Sequence, residues 1–317
     1  MSHSLDRRTF LGVSAATAAA LTWSPLRALA QSAPSNFNEI RGGVGTFLGQ
    51  GGTIGWYLGK EGAVIIDSQF PRTAEPCRKG LEQRSKQGLS LLLNTHHHGD
   101  HTGGNIVFKG AVKNIVAQEN VPELQKNQAT ERGNLDKQVF ADMTFKTTWE
   151  KKLDGETIGA KHYGPGHTGG DAVYHFKNAN IAHTGDLVFR MMHPFIDYPG
   201  GGTILGWIDV LKAVHNDLDD DTIVIFGHAG RGYEVTGPRK HVLEMAEYFE
   251  RAVEHVRRGR KKGATKEEIT KSTPDGFEKY FSPNERMSLA TTLLRTYEDL
   301  ERGGVKKKPP TSRPKKG

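Results

Sequence analysis

From residue 37 to residue 70 apolar residues alternate with glycine in short runs, a period-two pattern that predicts strands over 44–48, 53–58 and 63–66 joined by tight turns. A polar helix is predicted over 71–87. The continuous apolar run Leu89–Leu93, closed by turn residues, predicts a short buried strand. A glycine-rich turn follows, then a strand over 112–116 and a helix over 121–129. The second half repeats the theme, with strands predicted over 143–149, 157–163, 172–176, 181–184 and 222–226. Helices are predicted over 204–216, 239–257, 266–272 and 283–300. Strand runs followed by helices in both halves predict an α/β chain in which two sheets pack together with helices outside. The string His101-Thr102-Gly103-Gly104-Asn105 returns as His167-Thr168-Gly169-Gly170-Asp171, as two similar halves each lending a loop to one cleft would require.

Composition narrows the chemistry. Mean hydropathy is −0.56, and no apolar run approaches the ~20 residues that span a bilayer, so a transmembrane segment is not expected. The lone Cys77 excludes an internal disulfide and any cluster of thiolate ligands. Metal chemistry would have to come from carboxylates and the 14 histidines. The net charge of +7 is a property of the two ends: residues 1–30 carry +2 and residues 305–317 carry +6, leaving −1 for the body. A near-neutral body argues against a basic groove, and no specific nucleic-acid partner is expected.

The ends read as segments outside the fold. Arg7-Arg8, a short weakly apolar stretch over 11–23 and Ala28-Leu29-Ala30 before Gln31 are the three parts of a twin-arginine export signal. They predict cleavage after about Ala30 and a periplasmic mature chain. The body spans 31–304, with its C-terminal helices from about 237, and helices over 239–302 either pack on the sandwich or support a dimer. Residues 305–317, rich in Lys and Pro, read as a basic disordered tail.

One stretch concentrates the chemistry. Asn94-Thr95-His96-His97-His98-Gly99-Asp100-His101 directly follows the strand Leu89–Leu93, so its polar groups leave the sheet together at a carboxyl end. His96 and His98 alternate and point the same way in extended geometry, while Asp100 and His101 address a second position beyond the turn at Gly99. Imidazoles and a carboxylate in this density are the donors that Zn²⁺ selects. His167 on a glycine-rich turn, Asp186 just past the strand over 181–184, and His228 just past the strand over 222–226 add the same donor types from three more loops. His183, three residues before Asp186, reads as a support rather than a ligand. Phe195, Ile196, Tyr198 and Gly200-Gly201-Gly202 could form a lip over the cleft, with Tyr198 near the substrate.

In order and spacing, Asp67, His96-x-His98-x-Asp100-His101, His167, Asp186 and His228 resemble the metallo-β-lactamase superfamily, and the Thr95-His96-His97-His98 string is similar to glyoxalase II. The resemblance implies a four-layer αββα sandwich with two zinc ions in the cleft. His96, His98 and His167 would hold one ion, Asp100, His101 and His228 the other, Asp186 would bridge, and Asp67 would support the site. Asp100 is the ligand expected to act in catalysis as well. Two Zn²⁺ offset by Asp100, Asp186 and a hydroxide keep a charge of about +1, which favours a developing oxyanion and lowers the pKa of bound water towards ~7. The expected activity is zinc-dependent attack of a metal-held hydroxide on a small-molecule ester, thioester, lactone or β-lactam. Alternatives are a mononuclear iron persulfide dioxygenase, a nuclease, and a non-catalytic metal-binding relay protein.

Overall fold

Strand alternation decides which side chains face the middle of this protein. In the computed structural model, which describes residues 36–303, the first sheet holds β1 (Phe37–Arg41), β2 (Val44–Phe47), β3 (Ile54–Gly59), β4 (Gly62–Ile66), β5 (Leu89–Leu93), β6 (Asn114–Gln118) and β7 (Met143–Phe145), side by side in that order. Strands β1 to β4 pair antiparallel and β4 to β7 parallel. The second sheet takes β8 (Thr148–Leu153), β9 (Glu156–Lys161), β10 (Val173–Phe176) and β11 (Ile181–His183). After the short β12 (Phe189–Arg190) come β13 (Ile223–Ile225), the short β14 (His228–Ala229) and β15 (Thr236–Pro238). The spatial order of the second sheet is β15-β13-β11-β10-β9-β8, and β12 pairs with β14 separately.

Val64 and Ile66 of β4, with Leu91 and Leu93 of β5, face Tyr174 and Phe176 of β10 between the sheets. Their neighbours Ile65 and Leu92 point outward, onto Ala74, Cys77 and Leu81 of helix α1 (Pro71–Arg84). Three shorter helices, α2 (Gly99–Thr102), α3 (Asn105–Phe108) and α4 (Val121–Glu131), flank the same half. On the far face, Ala182 of β11 and Val224 of β13 lie under α5 (Ile204–Asp217) and α6 (Lys240–Lys261). Helices α7 (Lys266–Lys271) and α8 (Leu289–Glu301) complete that layer. The result is the αββα sandwich, and the C-terminal helices pack on it. Among the described residues no helix is long and apolar enough to cross a membrane. The export signal expected over 1–30 and the basic tail expected over 305–317 fall outside the described residues.

Among the departures from the sequence expectation, three have a visible local cause. The run 143–149 is two strands rather than one: β7 ends the first sheet and β8 edges the second, so the chain changes sheets through Lys146 and Thr147. Period-two alternation is blind to which sheet a strand joins. The strand expected over 112–116 is shifted to Asn114–Gln118, because Lys113 is held by Ser90 O and pairing with β5 begins at Asn114. The last helix starts at Leu289, where the Ser288 side chain accepts from Thr291 N and caps it.

Trp207 of α5 joins the helical layer to the site. It is fully buried, its ring lies 4.7 Å from that of Phe249 and 5.2 Å from that of His167, and its Nε1 donates to Leu187 O at 3.0 Å. Trp207→Ala is expected to lower stability by roughly 3–5 kcal/mol in denaturant unfolding, through the cavity it leaves. A loss below about 1 kcal/mol would show that the ring is not the wedge described.

Candidate metal centre

The donors converge because the strands that carry them end at one edge. Strands β4 and β5 are parallel, so Asp67 and the 94–101 string emerge together. Across the cleft, β11 and β13 are parallel, and Asp186 and His228 follow their ends, while His167 precedes the antiparallel β10. The two-residue ladder of β12 with β14 places Phe189 opposite His228, with their rings stacked at 5.4 Å and 12°.

Two clusters result. In the first, His98 Nδ1 lies 3.1 Å from His96 Nε2 and 2.9 Å from His167 Nε2. Asp186 Oδ2 is 3.8 Å from His96 Nε2 and 3.6 Å from His167 Nε2. In the second, His228 Nε2 is 3.2 Å from Asp100 Oδ2 and 3.4 Å from His101 Nε2, and His101 Nε2 is 3.7 Å from Asp100 Oδ2. Asp186 touches this group too, with Oδ1 3.0 Å from His101 Nε2 and Oδ2 3.4 Å from His228 Nε2. Asp186 is 4% exposed and Oδ1 makes no aligned hydrogen bond.

The partners of the outer nitrogens show what the inner ones are for. His167 Nδ1 meets the Phe195 carbonyl at 2.9 Å, which can only accept, so its hydrogen sits there and Nε2 keeps a lone pair. His98 Nε2 meets the Asp197 carboxylate at 2.9 Å, which leaves the lone pair on Nδ1. Thr95 Oγ1 donates to Asp67 Oδ2 at 2.7 Å and so accepts from His96 Nδ1 at 3.0 Å, leaving the lone pair on Nε2. Three lone pairs therefore face one point. Nitrogens bound at ~2.0–2.1 Å to a tetrahedral ion stand about 3.3 Å apart, close to the spacings seen. Donor type, lone-pair direction and spacing all fit a cation.

Residues 49–228 match the Metallo-beta-lactamase superfamily. The chain belongs to that superfamily. The hydroxyacylglutathione hydrolase of Nostoc punctiforme is 32% identical over 127 residues, which are 39% of this chain and 42% of that protein. The hydroxyacylglutathione hydrolase of Methylococcus capsulatus is 31% identical over 136 residues, 43% of this chain and 48% of that protein. The chain thus spans about half the length of the curated relatives it matches. Among solved structures, a metallo-beta-lactamase from Pontibacter korlensis superposes with a TM-score of 0.58 at 19% identity, covering 68% of this chain and 98% of that one. An inverting sec-alkylsulfatase from Pseudomonas sp. gives 0.63 at 14% identity, covering 83% and 50%. At such identities these two show the fold alone.

Burial and charge divide the histidines of the two clusters into two kinds. Burial holds His96 well below the usual histidine range, and burial with the neighbouring His98 holds His167 down at about 3. Burial acts the same way on His101 and His228, but the Asp186 carboxylate, with Asp100 beside it, outweighs it. His101 is held well above its ordinary value and His228 at about 10. Burial pushes Asp186 and Asp100 up, and the facing histidines, His101 foremost, more than reverse it, so both stay below the carboxylate range.

Asp67 accepts Thr95 N at 2.7 Å, Thr95 Oγ1, and His101 Nδ1 at 2.7 Å, so one carboxylate orients a histidine of each cluster. It does so from the left-handed region, φ 63°, a conformation that costs on the order of 1 kcal/mol for a residue with a Cβ. His183 donates Nε2–H to Thr53 O at 3.0 Å and accepts Gly185 N–H at 3.1 Å, bracing the turn that carries Asp186. At Gly227 a Cβ would stand 2.0 Å from Asp186 Oδ1, so only glycine lets the backbone pass behind that carboxylate.

Tyr198 departs from expectation. Its hydroxyl bonds the Arg295 carbonyl of α8, and Arg295 and Arg302 lie over its ring, so it faces the helical layer instead of a substrate. The segment expected as a lip packs on the clustered histidines: Phe195 presents its carbonyl to His167 and its ring 5.4 Å from that of His98, and Asp197 holds His98. Sequence reasoning assigned no role to Asp197 or Thr95. Thr95 had a signal, its place between a buried strand and a ligand string. Asp197, eleven positions past Asp186 in a connection, had none.

Proposed function

We propose that this protein is a hydrolase that uses two divalent metal ions, zinc by donor type, to cleave a carbonyl ester, thioester, lactone or β-lactam. The observation that carries the reading is Asp186, whose carboxylate faces both clusters at once. His96, His98 and His167 would hold one ion, and Asp100, His101 and His228 the other. Such a pair, when bound, activates water at neutral pH and offers positive charge to a developing oxyanion.

The chain's own residues supply orientation and access. The side chains of His96, His101 and His167 are sealed from solvent, whereas Asp100 is 29% and His228 20% exposed, so substrate reaches the centre past these two. Asp100 Oδ2 faces His228 at 3.2 Å, so these two side chains border the more open side of the centre together. Phe195, half-buried against His98 and His167, gives the cleft an apolar wall.

Support for ester or thioester chemistry comes from the likeness to hydroxyacylglutathione hydrolases and from an aspartate, not a cysteine or serine, at position 186. The twin-arginine string supports export to the periplasm, which cell fractionation and N-terminal sequencing would test. Metal analysis of the purified chain is expected to find about two zinc ions per chain. Chelation should abolish, and zinc restore, hydrolysis within a panel of esters, thioesters, lactones and β-lactams. About one iron per chain, with no cleavage in the panel, would overturn the reading in favour of a mononuclear oxidoreductase.

A further inference from the structure

In the first cluster His96 and His167 turn Nε2 inward, and His98 alone turns Nδ1. Its Nε2 therefore points out of the cluster, where Asp197 Oδ2 receives it at 2.9 Å. The same oxygen stands 3.2 Å from Nε2 of His97, the histidine between the two ligands. Asp197 Oδ1 accepts Gly200 N–H at 3.0 Å, and the Asp197 carbonyl accepts Gly202 N–H at 2.7 Å, so the carboxylate cannot swing away. His97, His98 and Asp197 are all buried.

We propose that Asp197 is a positioning residue of the metal centre, fixing the tautomer and ring plane of His98 so that Nδ1 is presented as the donor, with His97 sharing the carboxylate. The inference rests on the two-ion reading above. A neutral imidazole carries its hydrogen on either nitrogen, and only one choice leaves Nδ1 free to ligate. A carboxylate can only accept, so at Nε2 it settles the choice. His97 Nε2 lies against the same oxygen at 3.2 Å, and its own Nδ1 is buried and unpartnered. Two residues earlier, Phe195 does for His167 through its carbonyl what Asp197 does for His98. One three-residue segment thus orients two of the three imidazoles. His97, His98 and Asp197 could also be read as three donors to a further cation. The aligned 2.9 Å hydrogen bond favours a shared proton over a shared ion there.

The test uses the full chain and two variants, Asp197→Ala and Asp197→Asn, with circular dichroism to check folding. Zn²⁺ is titrated against a chromogenic chelator and counted by elemental analysis, and Co²⁺ replaces it for visible spectroscopy. In Asp197→Ala one of two ions is expected to bind about 10- to 100-fold more weakly, with the other unchanged and the Co²⁺ bands of the weakened site altered. Asp197→Asn keeps an acceptor without the charge and is expected to fall between, and as the isosteric change it decides the matter if the alanine variant does not fold. Wild-type affinity for both ions and an unchanged Co²⁺ spectrum in the variants would overturn the proposal. So would a third zinc ion in the wild type that both variants lose. Normal uptake and the expected losses without hydrolysis of any panel substrate would sink the hydrolase reading and leave Asp197 its role. Persistent hydrolysis with unaltered metal affinity in the variants would do the reverse. A wild type that takes up no divalent ion would end both.

Discussion

Asp186→Ala is expected to cut metal content from two ions per chain to one or none and to slow hydrolysis by at least about 10³-fold, some 4 kcal/mol of transition-state stabilisation. Its two oxygens stand 3.0 Å and 3.4 Å from the inner nitrogens of His101 and His228, and one of them lies 3.6 Å from that of His167. No neighbouring carboxylate can take its place, because Asp100 faces the second cluster only, among the described residues. Asp186→Asn keeps the shape and loses the charge, so it should fail nearly as badly. Elemental analysis with single-turnover kinetics checks this, and a variant that keeps two tightly held ions would remove Asp186 from the bridging position.

Acidity should act on the metal-free and metal-loaded protein in opposite ways above neutrality. His101 and His228 are held above their ordinary value, so in the metal-free protein both carry a proton at pH 7. Their contribution to stability is complete below about pH 6.5 and is lost as pH rises towards about 10, the value at His228. His96 and His167 are held low, so their contribution is present above about 6.5 and is lost as pH falls towards about 3, the value at His167. The metal-free protein should therefore melt earlier on both flanks of neutrality. Metal ligation needs neutral imidazoles, so uptake at pH 7 expels up to about two protons, and affinity should climb by as much as about 100-fold per pH unit. Melting temperatures against pH, with chelator and with zinc, give the first result. Calorimetry in buffers of different ionisation enthalpy counts the protons. Zinc uptake without proton release would contradict the charge states assigned to His101 and His228.

The candidate loops were legible because all but that of His167 directly follow a strand whose apolar run is self-announcing, and because histidine and aspartate at those ends have few other reasons to be buried. His96, His98, Asp100 and His101 sit in one local string, and their convergence with His167, Asp186 and His228 follows once the parallel pairs β4–β5 and β11–β13 are granted. What escaped depends on distance along the chain. Asp197 matters only because the fold returns it to His98, 99 positions away, and nothing around it in sequence announces that. Tyr198 looked like a cleft residue by proximity to Asp186, yet its hydroxyl reaches α8, 97 positions on. The split of 143–149 between β7 and β8 was hidden for a similar reason, since alternation continues across Lys146 and Thr147 while the partner sheet changes.

The grip of residues 195–197 on two imidazoles limits how this enzyme can diversify. A connection between strand and helix ordinarily tolerates insertions and drifts freely, yet here lengthening it would loosen the ions. The exposed stretch around Tyr233, just past His228, bears no such duty among the described residues. Variation in what the cleft admits is therefore expected there first, while the rim beside Phe195 stays fixed by the imidazoles it holds.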